Sequence, residues 1–324
     1  MKEQAKIGVA LGGGGLRGLA HIGVLQAMEE ARIPINALAG TSMGGIIAGL
    51  YAAGVPVAKI EEVGTKITLL DLAIPDPNRH GLIGHAKMRQ LLADVIGSDA
   101  ITFADLKIPT AMVAADLETG EMVTLSEGPL IPAMLATSAF PIVFGPVYHQ
   151  GHWLVDGGVL NNLPFDIVRQ LGADRVVGVN VPPGIHNLLT IPKEDEKRPR
   201  LSPQSIFAVI ARPGDWKLPL LVAEASVAMT AALVNRKRQE LCPPDLLLDI
   251  PILNTGTFMA DNSKEIVERG RMAAMKSITA LVQLRDTPLP PRWQWQLDEI
   301  GWRLRRAWEA YKAPRYPTFP AREP

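Results

Sequence analysis

The chain is poor in several features that would mark its class at once. It has one cysteine in 324 residues, Cys242, so no intrachain disulfide can form. Cys242 precedes Pro243-Pro244 and lies far from any histidine cluster, which gives it a structural reading in keeping with a reducing compartment. Charge of one sign is not in excess: 33 Lys and Arg balance 33 Asp and Glu, without the basic surplus of a general nucleic-acid binder. No apolar run approaches the ~18 residues of a spanning helix. The short run at 7–11 ends in four glycines and lacks the core and cleavage site of a signal peptide. The expectation is a cytoplasmic protein, attached to a membrane at most peripherally. Histidine, cysteine and carboxylates nowhere cluster at ligand spacing, so neither a metal nor another cofactor is expected. Internal repeats are lacking too.

What is present is an apolar content of 47%, enough to fill the core of one large α/β domain or two small ones. Residues 6–11 are too apolar for a strand with one exposed face, and read as a central parallel strand. A glycine turn at 12–15, helical spacing over 17–31, a strand over 35–39 and a helix over 45–53 complete a βαβα opening, which implies a parallel sheet. Further on, helices are expected at 61–72, 87–96, 130–138, 164–171 and 218–241, and one continuous helix at 263–284. Strands are expected at 110–115, 122–126, 175–181 and 246–250, and a hairpin pairs 143–148 with 153–155 around His149-Gln150-Gly151. The fold class is thus α/β, with three α/β/α layers around a mainly parallel sheet. The charge run 193–200 has no periodicity and reads as a solvated loop, with a lid or docking segment as the alternative.

Pro288, Pro290 and Pro291 mark a boundary, dividing a domain at 1–286 from a C-terminal extension at 287–324. In the extension Leu297, Ile300, Leu304, Trp308 and Tyr311 share one helical stripe beside Arg303, Arg305 and Arg306. This Trp/Arg-rich amphipathic segment, 293–312, suits either packing on protein or peripheral contact with a membrane headgroup layer.

Ser42 carries the sharpest chemical signal. It sits in Gly40-Thr41-Ser42-Met43-Gly44 between a strand and a helix, the setting of a nucleophile elbow, although a plain turn has the same composition. Upstream, Gly12-Gly13-Gly14-Gly15-Leu16-Arg17-Gly18 can turn several amides toward one anion, with Arg17 either holding the loop or drawing in an anionic head group. The spacing of Gly13, Gly15 and Gly18 also fits a dinucleotide fingerprint, but the next strand ends in Gly40-Thr41-Ser42 where that fingerprint expects an acid. The Gly-Lys-Ser/Thr ending of a phosphate loop is missing as well. A base is harder to find. His21 lies inside the first helix and reads as packed or capping, His149 and His152 bracket a turn and read as solvated, and His186 stands alone. Asp156 follows an apolar run and precedes Gly157-Gly158, so it is the better candidate, with an Asx-type turn as its bland alternative. Ile46, Leu50, Phe140, Ile142 and Phe144 flank the motifs and can supply apolar substrate surface.

These motifs, in this order and together with Ala136-Thr137-Ser138-Ala139-Phe140-Pro141, resemble the patatin-like phospholipase family over about residues 6–285, with the motif core at 6–180. Over 15–54, including Ala20-His21-Ile22-Gly23-Val24-Leu25, the chain is similar to bacterial members and to the lysophospholipase domain of neuropathy target esterase. The resemblance implies a Ser–Asp dyad without a catalytic histidine: Ser42 as nucleophile, Asp156 as base, and the amides of Gly13, Gly14 and Gly15 as oxyanion hole. Arg17, Gly18, Gly40, Gly44, Gly157 and Gly158 are the supporting motif positions. The implied partner is a lipid ester such as a phospholipid or lysophospholipid. The alternative is a regulatory or scaffold protein of the same fold that acts through a partner.

Overall fold

Short apolar runs become the inner strands of a mixed eight-stranded sheet. The computed structural model describes residues 5–67, 83–141, 143–182, 217–252 and 262–289. Its strands are β1 (Ile7–Leu11), β2 (Ala37–Thr41), β3 (Thr110–Asp116), β4 (Met122–Leu125), β5 (Val147–His149), β6 (His152–Asp156), β7 (Arg175–Asn180) and β8 (Leu246–Asp249). Strands β3, β2, β1, β7 and β8 run parallel in that spatial order, and β4, β5 and β6 are antiparallel additions. Every residue of β1, β2 and β3 is buried, as expected for strands covered on both faces.

The two faces differ in side-chain size. Ile7, Val9, Leu11, Leu38, Met112 and Val179 pack into the larger core cluster. It is covered by α1 (Ala20–Glu30), α2 (Met43–Ala52), α3 (Val57–Lys66), α4 (Ala86–Ile96) and α5 (Leu130–Thr137). The opposite face carries Ala10, Ala37, Ala39 and Ala111, against which α6 (Phe165–Gln170) places Phe165, Ile167 and Val168. A Cβ on Gly8 would collide with Val168, so α6 lies close to the sheet because its floor is made of small residues. Cys242 is buried in this second cluster, in accord with its structural reading. The chain continues through α7 (Lys217–Leu241), α8 (Ser263–Lys276) and α9 (Ile278–Asp286). The expected three-layer α/β arrangement is the one observed.

One strand edge positions the site. β4 pairs with residues 112–115 of β3. β2 pairs with 110–113 and β6 with 114–116 of the same strand. Since β4 overlaps both partners in register, β2 and β6 must share the other edge of β3, one after the other. Thr41 then stands opposite Val113, and Asp156 stands opposite Ala114. β2 and β6 run in opposite directions, so their C-terminal ends meet.

Some element boundaries differ from the sequence expectation. α2 starts at Met43, because Ile46 N–H already donates to Ser42 O. The first helix is preceded by a 3-10 turn over Gly15–Leu19. The first hairpin strand is only Val147–His149, since Pro146 has no N–H to offer the ladder. The helix expected over 263–284 is two helices that break at Ser277, whose N–H donates to Ala274 O in a tight terminal turn. His149, the last residue of β5, is buried rather than solvated. Ile142, most of the 75–84 loop, residues 68–72, the 193–200 charge run and the 293–312 segment lie outside the described residues. Among the described residues, no helix is long and apolar enough to cross a membrane.

α1 and α8 cross through paired glycines. A Cβ on Gly23 would meet Val267 O and Arg271 N, and one on Gly270 would meet Ala20 O. This contact ties the last part of the domain to the helix behind the glycine loop. Gly270→Ala is therefore expected to cost about 1–3 kcal/mol of stability, the range for overpacking; urea unfolding followed by circular dichroism measures it.

Candidate active site

Ser42 occupies the turn between β2 and α2 with φ 56° and ψ −128°. A non-glycine residue holds such a conformation only when its surroundings impose it. Here they do so through backbone packing. A Cβ on Gly40 would collide with the backbone of Gly44, and one on Gly44 with the carbonyl of Leu11. The two glycines thus let strand and helix fold back on each other and leave Ser42 at the apex. Its N–H lies 3.1 Å from both O and Oγ1 of Thr137 at the end of α5, and Thr137 Oγ1 donates in turn to Val113 O on β3. Thr41 Oγ1 donates to Asn161 O at 2.8 Å.

Asp156 ends β6 and is 2% exposed. Its N–H donates to Ala139 O at 3.0 Å. Residues Thr137 and Ala139 thus support the serine and the aspartate from one segment, a role of the 136–141 motif that no sequence feature discloses. The Asp156 Oδ1 accepts the Gly158 N–H at 2.8 Å, and the Ser42 side chain is near enough to favour the charged carboxylate. The Asx-type turn and the approach to serine are therefore both realised in the same side chain. Burial raises its pKa from 3.8 to about 6, and Ser42 and the Gly158 N–H oppose that rise.

The glycine loop passes beside this pair. A Cβ on Gly13 would stand 3.1 Å from Ser42 Cβ. Gly13 N–H donates to Asn162 O at 3.0 Å, so that amide is already engaged and the three-amide expectation narrows to Gly14 and Gly15. Gly15 has φ 55° and opens the 3-10 turn, whose first N–H groups have no partner inside it. Arg17 is buried, and its N–H donates to Gly14 O. Gly18 faces Met43, where a side chain would collide. Gly157 packs on Val113 O, and Gly158 on Asn162 Oδ1. Gly18, Gly40, Gly44 and Gly157 thus serve close backbone and side-chain approaches around the pair.

Gly13, Gly14, Gly15, Arg17, Ser42, Asp156 and Gly158 line one cavity of about 350 Å³. Its walls are mostly apolar, among them Ile46, Leu50, Phe140 and Phe144 as expected from sequence, and also Leu19, Ile60 and Leu92. A small group of polar residues at one end of an apolar pocket is the usual form of an organic-ligand site. Sequence reasoning missed Asn161, Asn162, Asp166 and Arg238. Asn161 Nδ2 donates to Asp166 Oδ1, and Arg238 Nη1 donates to Asp166 Oδ2, which ties α7 to the loop after Asp156. His21 is fully buried, as its packed reading expected, and its Nε2 lies 2.7 Å from Gly12 O. His152 contacts Asp116, away from the pair. Among the described residues no group of His, Cys, Asp and Glu could hold a metal.

The site thus sets a partly buried Ser42 and a buried Asp156 at one junction of a mixed α/β sheet. Residues 9–169 match the family described as patatin-like phospholipase, and this domain belongs to that family. The chain is 36% identical over 182 residues to an uncharacterized NTE family protein of Mycobacterium tuberculosis, covering 54% of this chain and 49% of the relative. It is 34% identical over 189 residues to the human patatin-like phospholipase domain-containing protein 6, covering 54% of this chain and 13% of that protein. The chain thus matches half or less of the length of these curated relatives. The structure of VipD from Legionella pneumophila shares the fold, with a TM-score of 0.52 at 15% identity, over 86% of this chain and 67% of that one.

The raised Asp156 pKa has a consequence for stability. A folded-state pKa above the unfolded value means that the folded protein holds the proton more tightly. Stability is then greatest below pH ~4 on this account, and falls as pH rises toward about 6. Asp156→Asn removes the buried charge, so it should stabilise the protein by about 1–3 kcal/mol at pH 8 and by much less at pH 4. Denaturant unfolding at the two pH values measures the difference.

Proposed function

We propose that the protein is a serine lipid acyl hydrolase that cleaves carboxylic esters of phospholipids or lysophospholipids through an acyl-enzyme. The single observation that carries this reading is the buried Asp156 carboxylate lining one cavity with Ser42, which stands on a strained elbow. Asp156 accepts the Ser42 proton as Oγ attacks the ester carbonyl. The developing oxyanion is held by the amides of Gly14 and Gly15, the part of such sites that often contributes most to rate. The carbonyl re-forms, the alcohol leaves with the proton from Asp156, and a water molecule repeats the sequence to release the fatty acid. A pKa near 6 makes Asp156 a stronger base than an ordinary carboxylate while leaving it ionised at pH 8. His21 does not compete for the role: burial lowers its pKa to about 4 and its Nε2 is held on Gly12 O. The apolar cavity wall formed by Ile46, Leu50, Phe140 and Phe144 supports an acyl chain as the bound group.

The dyad is tested with the purified protein, a short-chain p-nitrophenyl ester and a fluorophosphonate label. Ser42→Ala and Asp156→Asn are each expected to lower kcat by about 10³-fold or more, and Ser42→Ala to abolish labelling. Retained activity in either variant overturns the reading. As pH falls through about 6, kcat/KM should drop with the protonation of Asp156, without a second essential group near 6.5. For the Trp/Arg stripe of 293–312 we propose peripheral contact with a lipid surface. Removing residues 290–324 should weaken vesicle binding and leave hydrolysis of the soluble ester unchanged.

A further inference from the structure

Two side chains outside the dyad grip the glycine loop by its peptide groups. A trans peptide unit carries its C=O and N–H on opposite edges of one rigid plane, so holding one edge aims the other. In the Gly12–Gly13 unit the carbonyl oxygen lies 2.7 Å from His21 Nε2, and the N–H donates to Asn162 O at 3.0 Å. In the next unit, Gly13 O accepts from Asn162 Nδ2 at 3.0 Å. That bond sets the plane of the Gly13–Gly14 peptide and turns the Gly14 N–H away from Asn162. Among the described residues the Gly14 N–H meets no hydrogen-bond acceptor, and Gly14 shares its cavity with Ser42.

His21 is suited to its side of the grip. Its ring is completely buried, and since Gly12 O can only accept, Nε2 must carry the proton. Nδ1 has no partner among the described residues, in accord with a neutral ring. A buried histidine with an unsatisfied nitrogen is a costly way to fill a core position, and the hold on Gly12 gives it a purpose. We infer that His21 and Asn162 are positioning residues that fix the peptide planes of Gly12 to Gly14, so that the Gly14 N–H faces the oxyanion formed at Ser42. This inference rests on the Ser42–Asp156 reading. Neither residue touches the reacting atoms; both act through the loop.

The test uses the full chain and a soluble ester, with a trifluoromethyl ketone of the same acyl length as a tetrahedral oxyanion mimic. Asn162→Ala and His21→Ala should lower kcat by about 10- to 100-fold, less than the 10²–10³ that outright loss of an oxyanion donor costs. KM should stay within about threefold, and the inhibition constant of the ketone should rise by the same factor as kcat/KM falls. His21→Gln places an amide N–H near the same carbonyl and should recover most of the loss. It also covers the case in which His21→Ala does not fold. A merely structural role would lower the fraction of protein that fluorophosphonate can label, and leave the ketone's inhibition constant, measured on the active fraction before labelling, unchanged. Folded variants with unaltered kcat and ketone affinity overturn the inference. If they retain activity while Ser42→Ala is dead, the positioning role alone fails. If Ser42→Ala still hydrolyses the ester, the dyad fails and the positioning role falls with it.

Discussion

The shared edge of β3 is the constraint on which the site depends. Two strands cannot occupy the same stretch of one edge, and because β2 and β6 run in opposite directions they end against each other. Each chain must turn sharply at that point, and the two turns carry Ser42 and Asp156. The end of α5 fills the junction. Thr137 accepts the Ser42 N–H and donates to Val113 O, while Ala139 O accepts the Asp156 N–H. Residues 114 positions apart in sequence are thereby fixed by backbone hydrogen bonds, which do not relax as a pair of surface side chains would.

That junction is dry, and dryness gives the carboxylate its character. Water removed from around Asp156 raises its affinity for a proton, and Ser42 and the Gly158 N–H only partly restore the charged form. The same burial that makes the carboxylate a better base also makes it a liability to the fold. Strain at Ser42, with its φ of 56°, is a second cost concentrated at the same place. Both are tolerated because the surrounding layers are closely packed, from the Gly23–Gly270 crossing on one side of the sheet to the alanine floor under α6 on the other. The ion pair of Arg238 with Asp166, continued through Asn161 to the loop after Asp156, attaches α7 to this region as well.

Much of the fold and of the candidate site was legible in the chain. Short apolar runs gave the parallel strands, and the elbow motif placed Ser42 between strand and helix. The glycine loop was recognisable as an anion cradle once the ribose-binding acid was found missing. The roles of individual polar groups were less legible. Asn162 stands in a run without periodicity, Asn161-Asn162-Leu163-Pro164, and its hold on Gly13 spans 149 positions. His149 looked solvated beside a turn, whereas the folded chain buries it. The Gly13 amide looked equal to its neighbours in composition, and only its bond to Asn162 O sets it apart.

The sequence by itself determined the local geometry: where β1 and β2 stop, why a serine rather than a larger residue stands at the turn, and which stretches have side chains small enough for backbones to touch. These are consequences of sterics within a few residues. Tertiary structure alone decided which carboxylate meets the serine, how dry that meeting place is, and which glycine amides remain available. Those depend on strand register and on burial, properties that arise only when segments distant in the chain share one edge of a sheet.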